Sequence, residues 1–111
     1  MENQFLRTEM VLGADGMDAL RRSHVAVFGL GGVGSWCAEA LARSGVGKLT
    51  LVDEDAVSES NINRQLCALG TTIGASKAEA MAARLRDIAP GAAIVPVTAR
   101  YEAASRGRFF P

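Results

Sequence analysis

Residues 25–47 read VAVFGLGGVGSWCAEALARSGVG, and the way glycine punctuates this stretch decides the fold. The apolar run HVAVFG stops at Gly29. It is too short for a helix and does not alternate, so it reads as a strand buried on both faces. Four glycines follow as Gly29-x-Gly31-Gly32-x-Gly34. The apolar period then changes. Val33, Trp36, Cys37, Ala40 and Leu41 recur three and four apart, one face of a helix. Gly45 ends that helix, with Arg43 in its last turn. In a strand–turn–helix of this kind Gly29 permits the tight turn. Gly31 lets backbone approach a phosphate with no Cβ in the way, and Gly34 lets the helix pack close to the strand. The helix N-terminus offers unpaired N–H groups and partial positive charge to an anion.

Working outward, KLTLVD is a second buried strand closing on Asp53, whose carboxylate can accept both hydroxyls of a ribose. Residues 54–74 are polar and hold no long periodic segment, with SNINRQ in the middle; a loop of that length in a compact domain is usually functional. Ser76-Lys77-Ala78-Glu79 is a capping box. Ala78, Met81, Ala82, Leu85 and Ile88 continue it as an amphipathic helix, stopped by Pro90-Gly91. AAIVPVTA is a third strand, placed at an edge by Pro96, which has no N–H to donate. Before the first strand, short helices are expected over Leu6–Leu12 and Gly16–Arg22. Asp15 would cap the second, with Met17 and Leu20 on one face.

The order is β-α-β-loop-α-β, which implies parallel pairing and right-handed crossovers. The expected class is therefore α/β: a Rossmann-like, three-layer nucleotide-binding fold, of which the N-terminal half is present. The chain reads as one domain, with an arm and short helix over 1–23, the core over 24–99 and an irregular tail over 100–111.

Composition bounds the rest. The 111 residues carry a formal net charge of zero, which points to neither nucleic acid nor membrane and excludes neither. Cys37, Cys67 and His24 cannot make a zinc site of normal spacing, so no metal ligands are assigned. The two thiols are expected to be buried or half-buried, in a reduced cytoplasmic setting. No apolar run is long enough for a signal peptide core or a membrane span.

The glycine turn and Asp53 suit either NAD or ATP. The loop beyond them separates the two. Asn61 and Arg64 sit together in SNINRQ, beside Gln65, and Lys77 opens the next helix. Arg64 offers a planar fork for phosphate oxygens, Lys77 a point charge and Asn61 a neutral donor. Two cations and an amide suit a triphosphate better than a pyrophosphate bridge. An NAD-dependent oxidoreductase domain and a non-catalytic nucleotide-binding remnant are the alternatives.

Taken together, GLGGVGS, EALARSGVGKLTLVDEDAVSESNINRQ and the downstream lysine resemble the ubiquitin-activating-like (ThiF/MoeB/HesA-type) adenylation superfamily, over about residues 5–98. With RTEMVLGADGMDAL ahead of SHVAVFGLGGVGSW, the chain is most similar to the tRNA threonylcarbamoyladenosine dehydratases within it. The resemblance implies ATP and Mg2+ as cofactors and AMP transfer to a carboxylate, here that of a threonylcarbamoyl group on tRNA, followed by ring closure. It implies that Gly32 lies against the nucleotide, that Asp53 holds the ribose, and that Asn61, Arg64 and Lys77 grip the phosphates. Arg7 resembles an arginine that reaches into a neighbouring subunit, which implies a homodimer with Arg7 acting in trans. Protein partners in sulfur-relay or modification pathways are implied as well. Family members hold magnesium with an aspartate after a fourth strand, and no residue here takes that role. After about Tyr101 the resemblance is expected to stop, with ASRGRFFP reading as a truncation or an altered frame. An isolated half of this kind should leave Val25–Phe28 as an exposed apolar edge.

Overall fold

Three strands, β1 (His24–Phe28), β2 (Lys48–Val52) and β3 (Ala93–Val97), form one parallel sheet in the order β1-β2-β3. The computed structural model describes residues 3–109. His24 pairs with Lys48 and Phe28 with Val52; Lys48 pairs with Ala93 and Val52 with Val97. The strands therefore start and stop level. The segments that succeed the three strands leave the sheet at the same end, and that end holds the site. Pro96 lies on β3, an outer strand as expected.

Helix α2 (Gly32–Ser44) joins β1 to β2, and α3 (Lys77–Ile88) joins β2 to β3. Both crossovers step in the same direction, so both helices lie on one face of the sheet and pack on each other. Leu30, Leu49, Leu51, Met81 and Leu85 are fully buried between them. The expected inner face of α3 is the observed one, with Ala78, Met81, Ala82 and Leu85 buried. Ser76 caps it by accepting the Glu79 N–H at 3.3 Å.

For α2 the expectation holds only at Leu41, half-buried against the core. Val33 is 85% exposed and Trp36 58%, and Cys37 is exposed too, whereas Ser35, Ala38, Glu39 and Ala42 are buried. The cause is the close approach of α2 to the turn. Only small side chains fit on its sheet-facing side, so the large ones point away. Strand β1 is not buried on both faces: of its five residues only Val27 is buried, and it lies at an edge of the sheet, as expected for Val25–Phe28 in a half of this kind. The tail is not irregular. It forms a 3-10 turn, Ala103–Ser105, and a short helix α4 (Arg106–Phe109), the turn closed by a reciprocal Glu102–Ser105 cap.

The helix preceding the sheet, α1 (Leu6–Arg21), breaks at Gly13 (φ 76°, ψ 170°) into the two segments expected. Its base is anchored. Gln4 Nε2 donates to the Ile88 carbonyl at 2.8 Å, and a Cβ on Gly45 would meet Met17 at 3.0 Å and Phe5 at 3.6 Å. These anchors lie at the N-terminal end of the sheet.

Glu39 clamps the two helices. Its carboxylate accepts Arg84 Nε at 2.6 Å across the interface and Arg43 Nε at 3.2 Å along α2. The Arg84 hydrogen bond, assisted by Arg43, holds the Glu39 carboxyl below its ordinary range despite burial. A carboxyl depressed in the folded state stabilises above its unfolded value, and that stability is lost as pH falls through the folded one. Glu39→Gln is expected to cost about 1–3 kcal/mol near neutrality and to flatten the fall in stability on acidification. Urea unfolding at neutral and acid pH measures both, and an unaltered acid slope would show that the pair makes no such contribution.

Candidate nucleotide-binding site

The turn between β1 and α2 is built to leave an anion cradle open. Gly29 adopts φ 90°, where a side chain is strained, while its N–H donates to the Val52 carbonyl at 2.8 Å and so continues the sheet. A Cβ on Gly34 would stand 1.8 Å from the Gly29 carbonyl oxygen. Helix and turn are thus in backbone contact. Gly31 is the N-cap of α2, no side chain caps the helix, and its first turn carries no acidic residue. Its leading N–H groups and positive dipole end remain available to an anion.

Asp53 holds this turn in place. Its Oδ2 accepts the Leu30 N–H at 2.7 Å and its Oδ1 the Asp55 N–H at 2.8 Å. Each carboxylate oxygen keeps a further lone pair, so the residue can fix the turn and still accept ribose hydroxyls. Next to it is a cleft of about 230 Å3 lined by Phe28, Gly29, Val52, Asp53, Arg100 and Tyr101. The Phe28 and Tyr101 rings sit 4.9 Å apart, tilted by 60°. An aromatic-walled cleft beside a carboxylate with lone pairs to spare suits a flat base. The sequence reading missed Phe28 and Tyr101; the only signal was an aromatic at the end of one strand and another just beyond the end of a third.

Of the expected phosphate ligands in and after the loop that follows Asp53, Arg64 is the one seen against the turn. Arg64 lies along Gly32: a Cβ there would meet its Cδ at 3.6 Å. Trp36 Nε1 holds the Arg64 carbonyl at 3.1 Å, and Arg64 Nη1 donates to Asn63 Oδ1 at 2.8 Å. Its fork has donors left over. The Asn61 Oδ1 accepts the Ser58 N–H at 2.9 Å and so closes the 3-10 turn Glu59–Asn63. That leaves only its amide nitrogen for a ligand.

Lys77 is more unusual. Its side chain is 9% exposed, yet its Nζ lies 4.0 Å from Asp55 Oδ2, at the limit of an ion pair. A buried cation in the first turn of a helix is opposed by both desolvation and the dipole. Such a placement is favourable once an anion arrives. Lys77 acts electrostatically on Cys67, whose thiol donates to the Leu30 carbonyl at 3.7 Å. Burial pushes the Cys67 thiol up, so it stays protonated and serves packing rather than nucleophilic chemistry.

Arg7 does not join this cluster. It follows the Phe5 anchor at the opposite end of the sheet, and five-residue strands separate the two ends by about 16 Å. Among the described residues no group of three His, Cys, Asp or Glu side chains could hold a metal ion, and no helix is long and apolar enough to cross a membrane.

Comparison with known proteins places this geometry. The ThiF family model matches residues 4–111. The chain belongs to the ThiF family. The match runs to residue 111, so the tail lies within the family region, contrary to the expected departure after Tyr101. A relative in Bacillus subtilis, a tRNA threonylcarbamoyladenosine dehydratase, is 47% identical over 110 residues, which is 99% of this chain and 43% of the relative. The molybdopterin-synthase adenylyltransferase of Escherichia coli is 46% identical over 85 residues, 77% of this chain and 34% of that protein. The crystal structure of E. coli tRNA N6-threonylcarbamoyladenosine dehydratase in complex with ATP superposes with a TM-score of 0.93 at 39% identity, covering 96% of this chain and 44% of that one. The same enzyme is also known in complex with AMP. The chain thus spans less than half the length of the relatives it matches. The α/β, Rossmann-like fold expected from the order of strands and helices is the observed one, and the family is the one its joint motifs resemble.

Proposed function

We propose that this chain binds ATP at the head of α2 and forms the nucleotide-binding part of an enzyme that activates a carboxylate by adenylation. The observation that carries the reading is a helix N-terminus with no capping side chain, with Arg64 lying along Gly32 in its first turn; the buried side chain of Lys77, at the end of the loop that follows Asp53, is the second cation we assign to the phosphates. In the reaction a carboxylate oxygen attacks the α-phosphorus, the bond to the bridging oxygen breaks, and pyrophosphate leaves. The two cations offset charge on the triphosphate and on the departing pyrophosphate, Asp53 accepts from the ribose, and the aromatic cleft takes the base.

The names of the relatives support a tRNA threonylcarbamoyl carboxylate as acceptor, with cyclisation expelling AMP. Mg2+ would enter with the triphosphate. The described residues offer no group of ligands for it, so no step here is assigned to it. Arg7, at the far end of its own sheet, does not serve the site of its own copy; the resemblance that makes it a trans-acting arginine implies a homodimer in which it serves the second copy's site. Two free cysteines fit a cytoplasmic setting.

Calorimetric titration of the purified chain with ATP, NAD+ and adenosine tests the nucleotide assignment. ATP should bind at least about ten-fold more tightly than either competitor. Tight NAD+ binding with indifference to ATP would replace this reading with the oxidoreductase one.

A further inference from the structure

Gln65 stands out from every other buried polar residue. It is 6% exposed, and its Oε1 is the only buried side-chain polar atom without a hydrogen-bond partner among the described residues. The backbone that carries it is pinned on both sides. The Gln65 N–H donates to the Asn61 carbonyl at 2.9 Å and its carbonyl accepts the Ala68 N–H at 3.0 Å. On either side, the Arg64 carbonyl is held by Trp36 and the Leu66 N–H by Ser35 Oγ. The side chain is therefore delivered to a fixed place.

That place is the cradle. The nearest atom to a Cβ built on Gly31, the N-cap of α2, is Gln65 Nε2 at 3.8 Å. Nε2 has no partner among the described residues and, unlike Oε1, is not sealed from solvent. The amide thus keeps an unpaired acceptor inside and an unpaired donor at the mouth of an anion site. A buried acceptor left unpaired destabilises a fold, and an apolar side chain of the same length would not incur the loss. The arrangement makes physical sense when an oxyanion meets the donor.

We propose that Gln65 is a phosphate-binding residue, its Nε2 donating to a phosphoryl oxygen seated on the N-terminus of α2. The inference rests on the reading of that terminus as the nucleotide phosphate site. It adds a fourth ligand, neutral and directional, to the cradle, Arg64 and Lys77, and explains why the residue after Arg64 is a glutamine.

The decisive variant is Gln65→Met, which keeps the length and removes both unpaired groups. Thermal denaturation and calorimetry with ATP, AMP and adenosine read the result. Gln65→Met should melt at or above the wild-type temperature, bind ATP and AMP about ten- to hundred-fold more weakly, and bind adenosine as the wild type does. Gln65→Glu, which turns a carboxylate toward the phosphate, should weaken ATP further still. Wild-type ATP affinity in Gln65→Met, alongside a loss in Arg64→Ala, would overturn the proposal and leave the site assignment standing. Equal loss of ATP and adenosine together with a lower melting temperature would overturn it too, by showing a structural role. If Gln65→Met does not fold, Gln65→Glu decides, and full ATP affinity there refutes the proposal. A wild-type chain that prefers ATP no more than adenosine would overturn the site assignment and this inference together.

Discussion

Replacing Gly34 with alanine is expected to destabilise the chain by about 3 kcal/mol or more, a fall in melting temperature of more than about 12 °C for a domain of this size. The added Cβ would stand 1.8 Å from the Gly29 carbonyl oxygen and 2.8 Å from its carbon. Both are backbone atoms, so no rotamer change relieves the overlap. Gly29 cannot retreat, because its N–H is bonded to Val52 and its φ of 90° is set by the turn. Relief has to come from lifting α2 off the sheet, which opens the contacts of Ser35, Ala38 and Ala42 behind it.

The neighbouring glycines make the control. At Gly31 and Gly32 a Cβ would meet only side-chain atoms, Gln65 Nε2 at 3.8 Å and Arg64 Cδ at 3.6 Å, both ordinary contacts. Gly31→Ala and Gly32→Ala should therefore fold, and their effect should fall on ATP affinity. Thermal melts of the three variants separate the roles. A Gly34→Ala chain melting with the wild type would show that α2 has more room to shift than its contact with the turn allows.

Gly34 also explains what the sequence did and did not reveal. The change of apolar period after Gly34 correctly announced a helix, which begins two residues earlier at Gly32, and Gly45 correctly ended it. The error lay in which side faces inward. Large apolar residues usually mark the buried face, but a helix drawn into backbone contact with its turn can only bury small ones. The signal was present as the stripe Ser35, Ala38 and Ala42, outweighed by Val33 and Trp36. One of those outward residues has a task, since Trp36 holds the Arg64 carbonyl.

The site shows the same division. Gly29 and Ser76 act locally, through a turn and a cap, and local chemistry is legible in a sequence; Asp53 was legible as a strand end, but not its grip on the Leu30 N–H. The burial of Lys77, the orphaned acceptor of Gln65 and the meeting of Phe28 with Tyr101 depend on segments distant in the chain. Residue type alone carries no sign of them. Asn61 divides its side chain: the oxygen closes a turn by accepting the Ser58 N–H, which no residue type announces, while the amide nitrogen, the donor expected of it, is left over.

Arg64→Ala is expected to weaken ATP by about a hundred-fold, near 2.7 kcal/mol, the loss of one or two hydrogen bonds to an ionised phosphate. Adenosine should bind as before, because the arginine lies over Gly32 and not in the Phe28–Tyr101 cleft. The loop should survive the truncation. Its anchor here is the Arg64 backbone carbonyl, held by Trp36, and not the guanidinium, which rests on Asn63 and Ser60. Arg64→Lys should recover only part of the affinity, since an ammonium restores charge without the planar fork. The part it does recover should disappear as ionic strength rises, because a point charge at an open rim is screened. Calorimetry with ATP and adenosine at two salt concentrations reads all of these. Parallel losses of ATP and adenosine would make Arg64 a packing residue over Gly32, and an unchanged ATP affinity would move the phosphates away from this end of α2 altogether.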